Sequence, residues 1–257
     1  MPALLFLRGI IQNVRMLVLF TDFSLDDPYV GQMKAVLHAH APSVPIIDLL
    51  HRVPDYDACA GAHLLHALAD SFPPGSVFLC VVDAGVGSCR PAVAVEADGK
   101  WYVGPDNGLL SVVAGRSRQV AHWRIVWRPE ALSASFHGRD LFAPVAARLA
   151  MADMPNGWLM PADGLVHELA ADDLFRVIYI DHYGNAMTGI RGTSLDAAAR
   201  VRAAGREFAY GRVFSEVARG EAFWYVNSCG LVEVAISCGH AARSLGLRTG
   251  MPVSVVQ

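Results

Sequence analysis

Short apolar runs, separated by polar turns and by stretches of helical periodicity, fill the first 150 positions. Residues 77–82 (VFLCVV) are six apolar or β-favouring residues behind the turn Pro73-Pro74-Gly75, and they predict a buried strand. Residues 16–20 and 44–49 read the same way. Between those two runs, Val30, Met33, Val36 and Leu37 recur at helical spacing behind Asp26-Asp27-Pro28. An Asp before a Pro at the first helical position marks a helix start, and Ala41-Pro42 ends it. Ala60, Leu64, Leu65 and Leu68 share one face of a second helix, expected from near Asp55 to about Ser71. The pattern predicts a hairpin from 92–95 and 100–103 around Ala97-Asp98-Gly99, a short helix over 109–114 and a strand over 120–127. A further helix carries Phe142, Val145, Ala146 and Leu149 at i, i+3, i+4 and i+7.

Such alternation predicts an α/β domain with a largely parallel sheet. The pattern changes where Pro155, Gly157, Pro161 and Gly164 suggest a linker. Beyond it lie strand signals without a long helical period, at 175–180, 201, 207–210, 223–226, 231–236 and 253–256. Turns at Gly184-Asn185, Gly205-Arg206 and Cys229-Gly230 separate them, which predicts a small all-β barrel as the second domain. The expected divisions are an extension over 1–15, an α/β domain over 16–156, a linker over 157–173 and a β-barrel over 174–257.

Composition narrows the class. Hydrophobic residues make up 53% and charged residues 18%, which argues for filled cores and against disorder. A net charge of −3 without a Lys/Arg-rich run argues against nucleic acid as a partner. Cys59, Cys80, Cys89, Cys229 and Cys238 form no CxxC pair, so the expectation is reduced thiols in a cytoplasmic protein rather than a zinc cage or disulfides. The apolar first twenty residues are interrupted by Arg8, Gln12, Asn13 and Arg15, short of the roughly 20 apolar residues a span requires. Neither a signal peptide nor a membrane anchor is expected, and residues 1–15 read as an extension.

Candidate chemistry gathers in the turns. Asp83 stands at the carboxyl end of the central strand, Gly85 and Gly87 follow, and Arg90 is seven residues on, close enough to fold back and pair. Strand ends followed by glycine loops are where open α/β sheets place ligands. Asp22, Asp27, Asp106, His137, Arg139 and Asp140 occupy other turns of the first domain, and Asp181 to Asn185 and Asn227-Ser228 turns of the second. Acids and histidines together could hold a metal, but no spacing matches a two-histidine helix signature, and helix capping explains most of the acids. From spacing alone, Asp83 as a turn cap and Arg90 as a solvated side chain is an equally good reading.

Six segments carry a resemblance: Thr21-Asp22-Phe23 with Asp27 to Gly31, Val81 to Gly87, Tyr102 to Gly108, Phe136 to Asp140, Asp181 to Asn185, and Tyr225 to Gly230. In this order they resemble the S-adenosylmethionine (SAM) hydroxide adenosyltransferase family from Met16 to the C-terminus. The resemblance implies an α/β domain followed by a β-barrel, assembled as a homotrimer with SAM between the N-domain of one subunit and the C-domain of its neighbour. It implies hydrolysis of SAM to adenosine and L-methionine by water or hydroxide attack at the ribose 5′ carbon, without metal or cofactor. It places a catalytic triad on Asp83, Arg90 and His137.

By the same match, Asp22 holds the ribose hydroxyls, Tyr56 lines the ribose pocket and Phe136 lies beside the ribose. Asp27, Asp181 and Ser228 hold the methionine amino and carboxylate groups. Tyr183, Asn185, Phe214 and the backbone near Cys238 fall at the adenine. Blander roles compete: Asp27 as a helix cap, Phe214 as core and Asn185 as a turn former.

The residue types suit the chemistry. A neutral thioether leaving a sulfonium needs no general acid, so the site must hold one oxygen nucleophile in line with the carbon–sulfur bond. A carboxylate paired with a guanidinium is a poor base, which favours Asp83 orienting the water, with Arg90 and His137 as cationic donors to an incipient hydroxide. Ser24 and Ala84 stand where the family usually has Gly and Pro, and Cys229 where halogenating relatives carry an Arg for the methionine carboxylate. Those relatives lack the Asp and His of the triad and carry a long insertion after the glycine loop, whereas only residues 91–101 separate Arg90 from Tyr102 here. A SAM-dependent halogenase and a SAM- or adenosine-binding module with little turnover remain the alternatives.

Overall fold

A computed structural model describes residues 15–256, so the reading of 1–15 as an extension lies almost wholly outside the described residues. They divide into two compact units, 15–62 with 71–171, and 63–70 with 172–256.

The first unit is built on a seven-stranded sheet of order β2-β1-β3-β5-β4-β6-β7. Its strands are β1 (Leu17–Thr21), β2 (Ile46–Leu50), β3 (Val77–Val81), β4 (Ala92–Ala97), β5 (Lys100–Pro105), β6 (Val120–Ile125) and β7 (Leu159–Ala162). β1 pairs in parallel with β2 and β3, and β3 with β5, while β4 and β7 run against their neighbours. Five of the seven strands therefore point one way, and the sheet is mostly parallel. All five residues of β3 are buried, as a strand covered on both faces requires.

Helices α1 (Pro28–His40) and α4 (Ala143–Met151) contribute Met33, Leu37, Val145 and Ala146 to the core over Leu17, Leu19, Val77 and Leu79. The helix expected from Asp55 is α2 (Ala58–Ala69), and Asp57, whose Oδ1 accepts from the Ala60 N–H at 2.9 Å, starts it. A further short helix, α3, spans Ser111–Arg116. The expected linker is not bare, because β7 pairs antiparallel with β6 there. Since β1, β2 and β3 run in parallel, the loops after them open on one edge of the sheet, where the candidate residues stand.

The second unit is antiparallel, in sheets of order β12-β13-β9-β8 and β11-β10-β14. Its strands are β8 (Leu174–Ile180), β9 (Ala186–Arg191), β10 (Arg200–Ala203), β11 (Arg206–Phe208), β12 (Ala222–Val226), β13 (Leu231–Ile236) and β14 (Val253–Val256). A short helix, α5 (Ala241–Leu245), follows β13. Isolated bridges join Arg176 to Pro252 and Tyr210 to Trp224. Trp224 is fully buried, and its indole N–H donates to the Ala199 carbonyl at 3.0 Å, so neither its area nor its polar atom is lost. β9 escaped the sequence pattern. Gly189 interrupts it, and a Cβ there would lie 2.5 Å from the Leu174 Cβ, so the close approach of β8 leaves no room for a side chain at that position.

Candidate active site

The turn after β3 is two consecutive backbone turns, with Val86 N–H on the Asp83 carbonyl at 3.3 Å and Ser88 N–H on that of Gly85 at 3.1 Å. Gly87 has φ +80°, and a Cβ there would meet the Ala134 carbonyl oxygen at 2.5 Å. The loop therefore lies directly against the backbone that leads to His137.

Arg90 folds back onto Asp83. Its Nε donates to Asp83 Oδ1 at 2.7 Å, and Nη2 donates to Oδ2, a two-pronged pair. Nη1 donates to the Pro91 carbonyl at 3.1 Å, and Nη2 also faces His137 Nδ1 at 3.3 Å. The guanidinium carbon sits 5.3 Å from the Phe142 ring centroid. The side chains of Asp83 and Arg90 are only 4% and 7% exposed, so each charge depends on the other.

This geometry assigns the imidazole. A guanidinium has N–H donors and no acceptor, so Nδ1 of His137 accepts from Arg90 and the ring proton is on Nε2. Burial first, and the Arg90 charge second, hold the His137 pKa below its usual range, while Asp83 pulls weakly the other way. The sequence suggested two cationic donors to a nucleophile. The structure instead commits four of the five Arg90 N–H groups to Asp83, Pro91 and His137, and leaves a neutral imidazole N–H as the principal donor.

Asp83 also lines a cavity of about 330 Å³ with Asp22, Phe23, Ser24, Asp27, Tyr29, Asp55 and Tyr56. Its four carboxylates make it a place for a cation. Burial pushes the Asp22 carboxyl up and Asp55 and Asp83 add to this, while the Tyr56 N–H, donating at 3.2 Å to Asp22 Oδ2, pulls it down. Ser24 and Tyr56 have φ of 60° and 61°. The left-handed backbone at Ser24 explains why glycine suits that position. Asp27 is the residue before α1, yet its side chain makes no capping bond, so the helix-cap reading does not account for it. Phe136, 9% exposed, packs edge-on against Phe23 and Tyr29 with centroids 6.0 and 5.5 Å away. It lines an adjoining cavity that shares those two rings.

In the second unit, Asp181, Tyr183, Asn185, Phe214, Tyr225, Ile236, Cys238, Gly239 and His240 line a cavity of about 710 Å³. Tyr183 is 73% exposed, and Phe214, 39% exposed, packs edge-on against Phe223 and Tyr225, so Phe214 is not core. Asn185 both shapes its turn and lines the cavity, since its N–H and Nδ2 donate to the Asp181 oxygens at 2.8 and 3.0 Å. Cys238 is exposed with φ 54°. Ser228 does not line this cavity; it is exposed on the β12–β13 turn, its Oγ 3.9 Å from Cys229 Sγ.

Two recognisable segments are structural. Asp106, 2% exposed, accepts from the N–H groups of Val166 and His167, and Asn107 Nδ2 donates to the Val82 carbonyl at 2.8 Å. Arg139 pairs with Asp140 and with Gln32 Oε1 beside the π-helical turn Gly138–Phe142 that starts α4. The sequence reading gave no site role to Asp55 and Tyr225, which line these cavities, or to Glu233, which accepts from Tyr225. Asp55 was absorbed into a predicted helix. Glu233 interrupts the apolar run LVEVAI, and a lone acid inside a buried strand is itself the sign of a paired group.

Both units match known domains. Residues 17–157 match the SAM hydroxide adenosyltransferase N-terminal domain, and residues 175–254 the C-terminal domain of the same name. The (R)-S-adenosyl-L-methionine hydrolase of Thermus thermophilus is 37% identical over 269 residues, covering 95% of this chain and 100% of the relative. More distantly, a fluorinase of Nocardia brasiliensis is 27% identical over 91% of this chain and 94% of its own. A crystal structure of a conserved protein from Thermotoga maritima superposes with a TM-score of 0.84 at 32% identity, covering 94% of this chain and 100% of that one.

Proposed function

The chain belongs to the SAM hydroxide adenosyltransferase family, and from that premise we propose that it hydrolyses SAM to adenosine and L-methionine. The observation that carries the proposal is the Asp83–Arg90–His137 cluster, whose acid lines a cavity with three further carboxylates. A sulfonium substrate brings the cation that such a lining favours. Asp83 accepts a hydrogen bond from the water, the His137 Nε2–H donates to its oxygen, and Arg90 fixes both partners. The oxygen attacks the 5′ carbon, the carbon–sulfur bond breaks with its electron pair going to sulfur, and the water's spare proton passes to solvent. Because the leaving thioether is neutral, neither a metal nor a cofactor is needed, and we assign none.

Asp22 and Tyr56, joined by the backbone bond between them, hold the ribose, with Phe136 behind Phe23 and Tyr29. Asp27 and Asp181 take the methionine ammonium. Tyr183, Asn185, Phe214 and the Cys238 backbone take adenine, and Ser228, on an exposed turn outside that cavity, takes the methionine carboxylate. We assign the protein to the cytoplasm, on its five free thiols; among the described residues no helix is long and apolar enough to cross a membrane. Family likeness supports a homotrimer, and a solution mass of one or two chains counts against it. The bridges from β8 to the start of β14 and from the end of β11 to β12 support a closed barrel in the second unit.

Incubating the purified protein with SAM, with and without chloride, tests the activity. Adenosine and methionine in equal amounts are expected in both. 5′-Chloroadenosine would mark a halogenase instead, a reading disfavoured because a halide gains nothing beside four carboxylates. Binding without product would mark a binding module.

The pH profile follows from His137. Its pKa lies below the usual 6.5, so the neutral ring prevails from there upward. As pH falls through the depressed value, protonation removes the Nδ1 acceptor and puts a second cation beside Arg90. The acid limb of kcat/KM is therefore expected to inflect below 6.5; an inflection above it contradicts a neutral donor.

A further inference from the structure

Four side chains with no part in the chemistry above form one hydrogen-bonded chain that ends on the turn carrying Asp22. Lys34 on α1 donates from Nζ to Asp48 Oδ2 at 2.8 Å. Asp48 Oδ1 lies 3.1 Å from His51 Nε2, and His51 Nδ1 lies 2.8 Å from Thr21 Oγ1. Thr21 Oγ1 in turn accepts the Phe23 N–H at 3.2 Å. Thr21 closes β1 and His51 follows β2, so the imidazole bridges the ends of two neighbouring parallel strands.

The protons on this chain can be placed. Against burial, the hydrogen bonds from Lys34 and His51 keep the Asp48 carboxyl below its usual range, so it is ionised and accepts only. His51 Nε2 therefore carries the ring proton and donates to it. Nδ1 is bare and accepts the Thr21 hydroxyl, whose oxygen keeps a lone pair for the Phe23 N–H. Hydroxyl, imidazole and carboxylate in this order match a nucleophilic triad. Thr21 is fully buried and His51 3% exposed, however, so no substrate reaches them.

What the chain holds is a wall of the acidic cavity. The turn after β1 brings Asp22, Phe23 and Ser24 to that cavity, and the segment after His51 brings Asp55 and Tyr56. The His51 carbonyl accepts the Ser24 N–H at 2.6 Å, and the Thr21 carbonyl accepts the Val53 N–H at 3.2 Å. His51 thus ties the first segment to the second through its ring and its backbone together. Ser24 and Tyr56 both have left-handed backbone, which persists only where the surroundings impose it.

We propose that His51 is a positioning residue for the substrate: by taking the Thr21 hydroxyl it fixes the turn that aims the Asp22 carboxylate, and so sets the preference for a ribose carrying its 2′- and 3′-hydroxyls. The inference rests on the reading of Asp22 as the group that holds those hydroxyls. A carboxylate displaced from two hydroxyls loses both hydrogen bonds, whereas a sugar without them has none to lose.

The test is binding of adenosine and of 2′,3′-dideoxyadenosine to the full-length protein by calorimetry. The wild type is expected to prefer adenosine by at least about tenfold. Thr21→Val keeps the side-chain shape but offers His51 no proton and Phe23 no acceptor. His51→Gln keeps a donor toward Asp48 but no acceptor at the Nδ1 place. In both, the preference should fall to within about threefold, with dideoxyadenosine bound as in the wild type and a raised KM for SAM. Thr21→Ser restores the hydroxyl and should restore most of the preference. A merely structural role would weaken both nucleosides alike and leave their ratio unmoved, which overturns the inference. Should either of the first two variants fail to fold, the other decides. Equal binding of the two nucleosides by the wild type overturns the inference together with the ribose role of Asp22. A preference lost as expected in a protein that does not cleave SAM would sink only the hydrolase reading, and SAM cleavage with the wild-type ratio kept in both variants only this one.

Discussion

Arg90→Ala should abolish SAM cleavage and, unlike His137→Ala, also destabilise the fold. Asp83 is 4% exposed and Arg90 7%, so removing the guanidinium leaves a largely buried carboxylate without its counter-charge. Breaking such a buried pair costs about 3–5 kcal/mol, enough to lower the melting temperature by several degrees. The same change frees His137 Nδ1 from its donor and empties the space over Phe142. His137→Ala, by contrast, removes one donor to the nucleophile and leaves the ion pair intact. It should lower kcat about 10²–10³-fold with little change in melting temperature. Arg90→Lys keeps the charge but not the fork, and should recover part of the stability with little of the rate. Melting curves and single-turnover rates on the three variants check this together. Equal melting temperatures for Arg90→Ala and wild type would contradict the role given to the pair.

The second large effect is expected at Gly87→Ala, a residue that touches no substrate. Its φ of +80° strains any Cβ, and that Cβ would lie 2.5 Å from the Ala134 carbonyl oxygen, a backbone atom that cannot swing aside. The loop must move away from the segment that leads to His137. A loss of about 1–3 kcal/mol in stability is expected from the backbone alone. Because Asp83 and Arg90 ride on this loop while His137 does not, kcat should fall at least tenfold, a misplacement of the order of 1 Å being sufficient. Gly85→Ala, where a Cβ meets only Ser88 Oγ at 3.5 Å and the Arg90 stem, is the matched control and should be mild. Similar kcat losses in both variants would mean that loop position does not set the geometry.

These expectations also show which parts of the molecule were legible in advance. The central strand, its terminal acid and the arginine seven residues on are local in sequence, yet spacing alone favours their pairing no more than a turn cap and a solvated side chain. His137 lies 47 residues beyond Arg90, and no periodicity links the two; only the resemblance brought it to the same cluster. The imidazole's neutrality needed coordinates, because it depends on which ring nitrogen faces Arg90. The four-carboxylate lining was half visible: Asp22 and Asp27 stood out in their turn, whereas Asp55 passed for the start of α2. β9 was hidden by the close approach at Gly189, and β7 by the Pro and Gly of a segment that looked like linker. Glu233 was visible all along as an acid in an apolar run, but a single buried charge announces a partner without naming it.

The central claim is that a solvent oxygen, held by Asp83 and His137, forms a bond to the ribose 5′ carbon as sulfur leaves. Turnover of SAM in ¹⁸O-labelled water, followed by mass spectrometry of both products, tests this most directly. One ¹⁸O in the 5′-hydroxyl of adenosine and none in methionine is the predicted result. Unlabelled adenosine, or label carried by the methionine fragment, would contradict it.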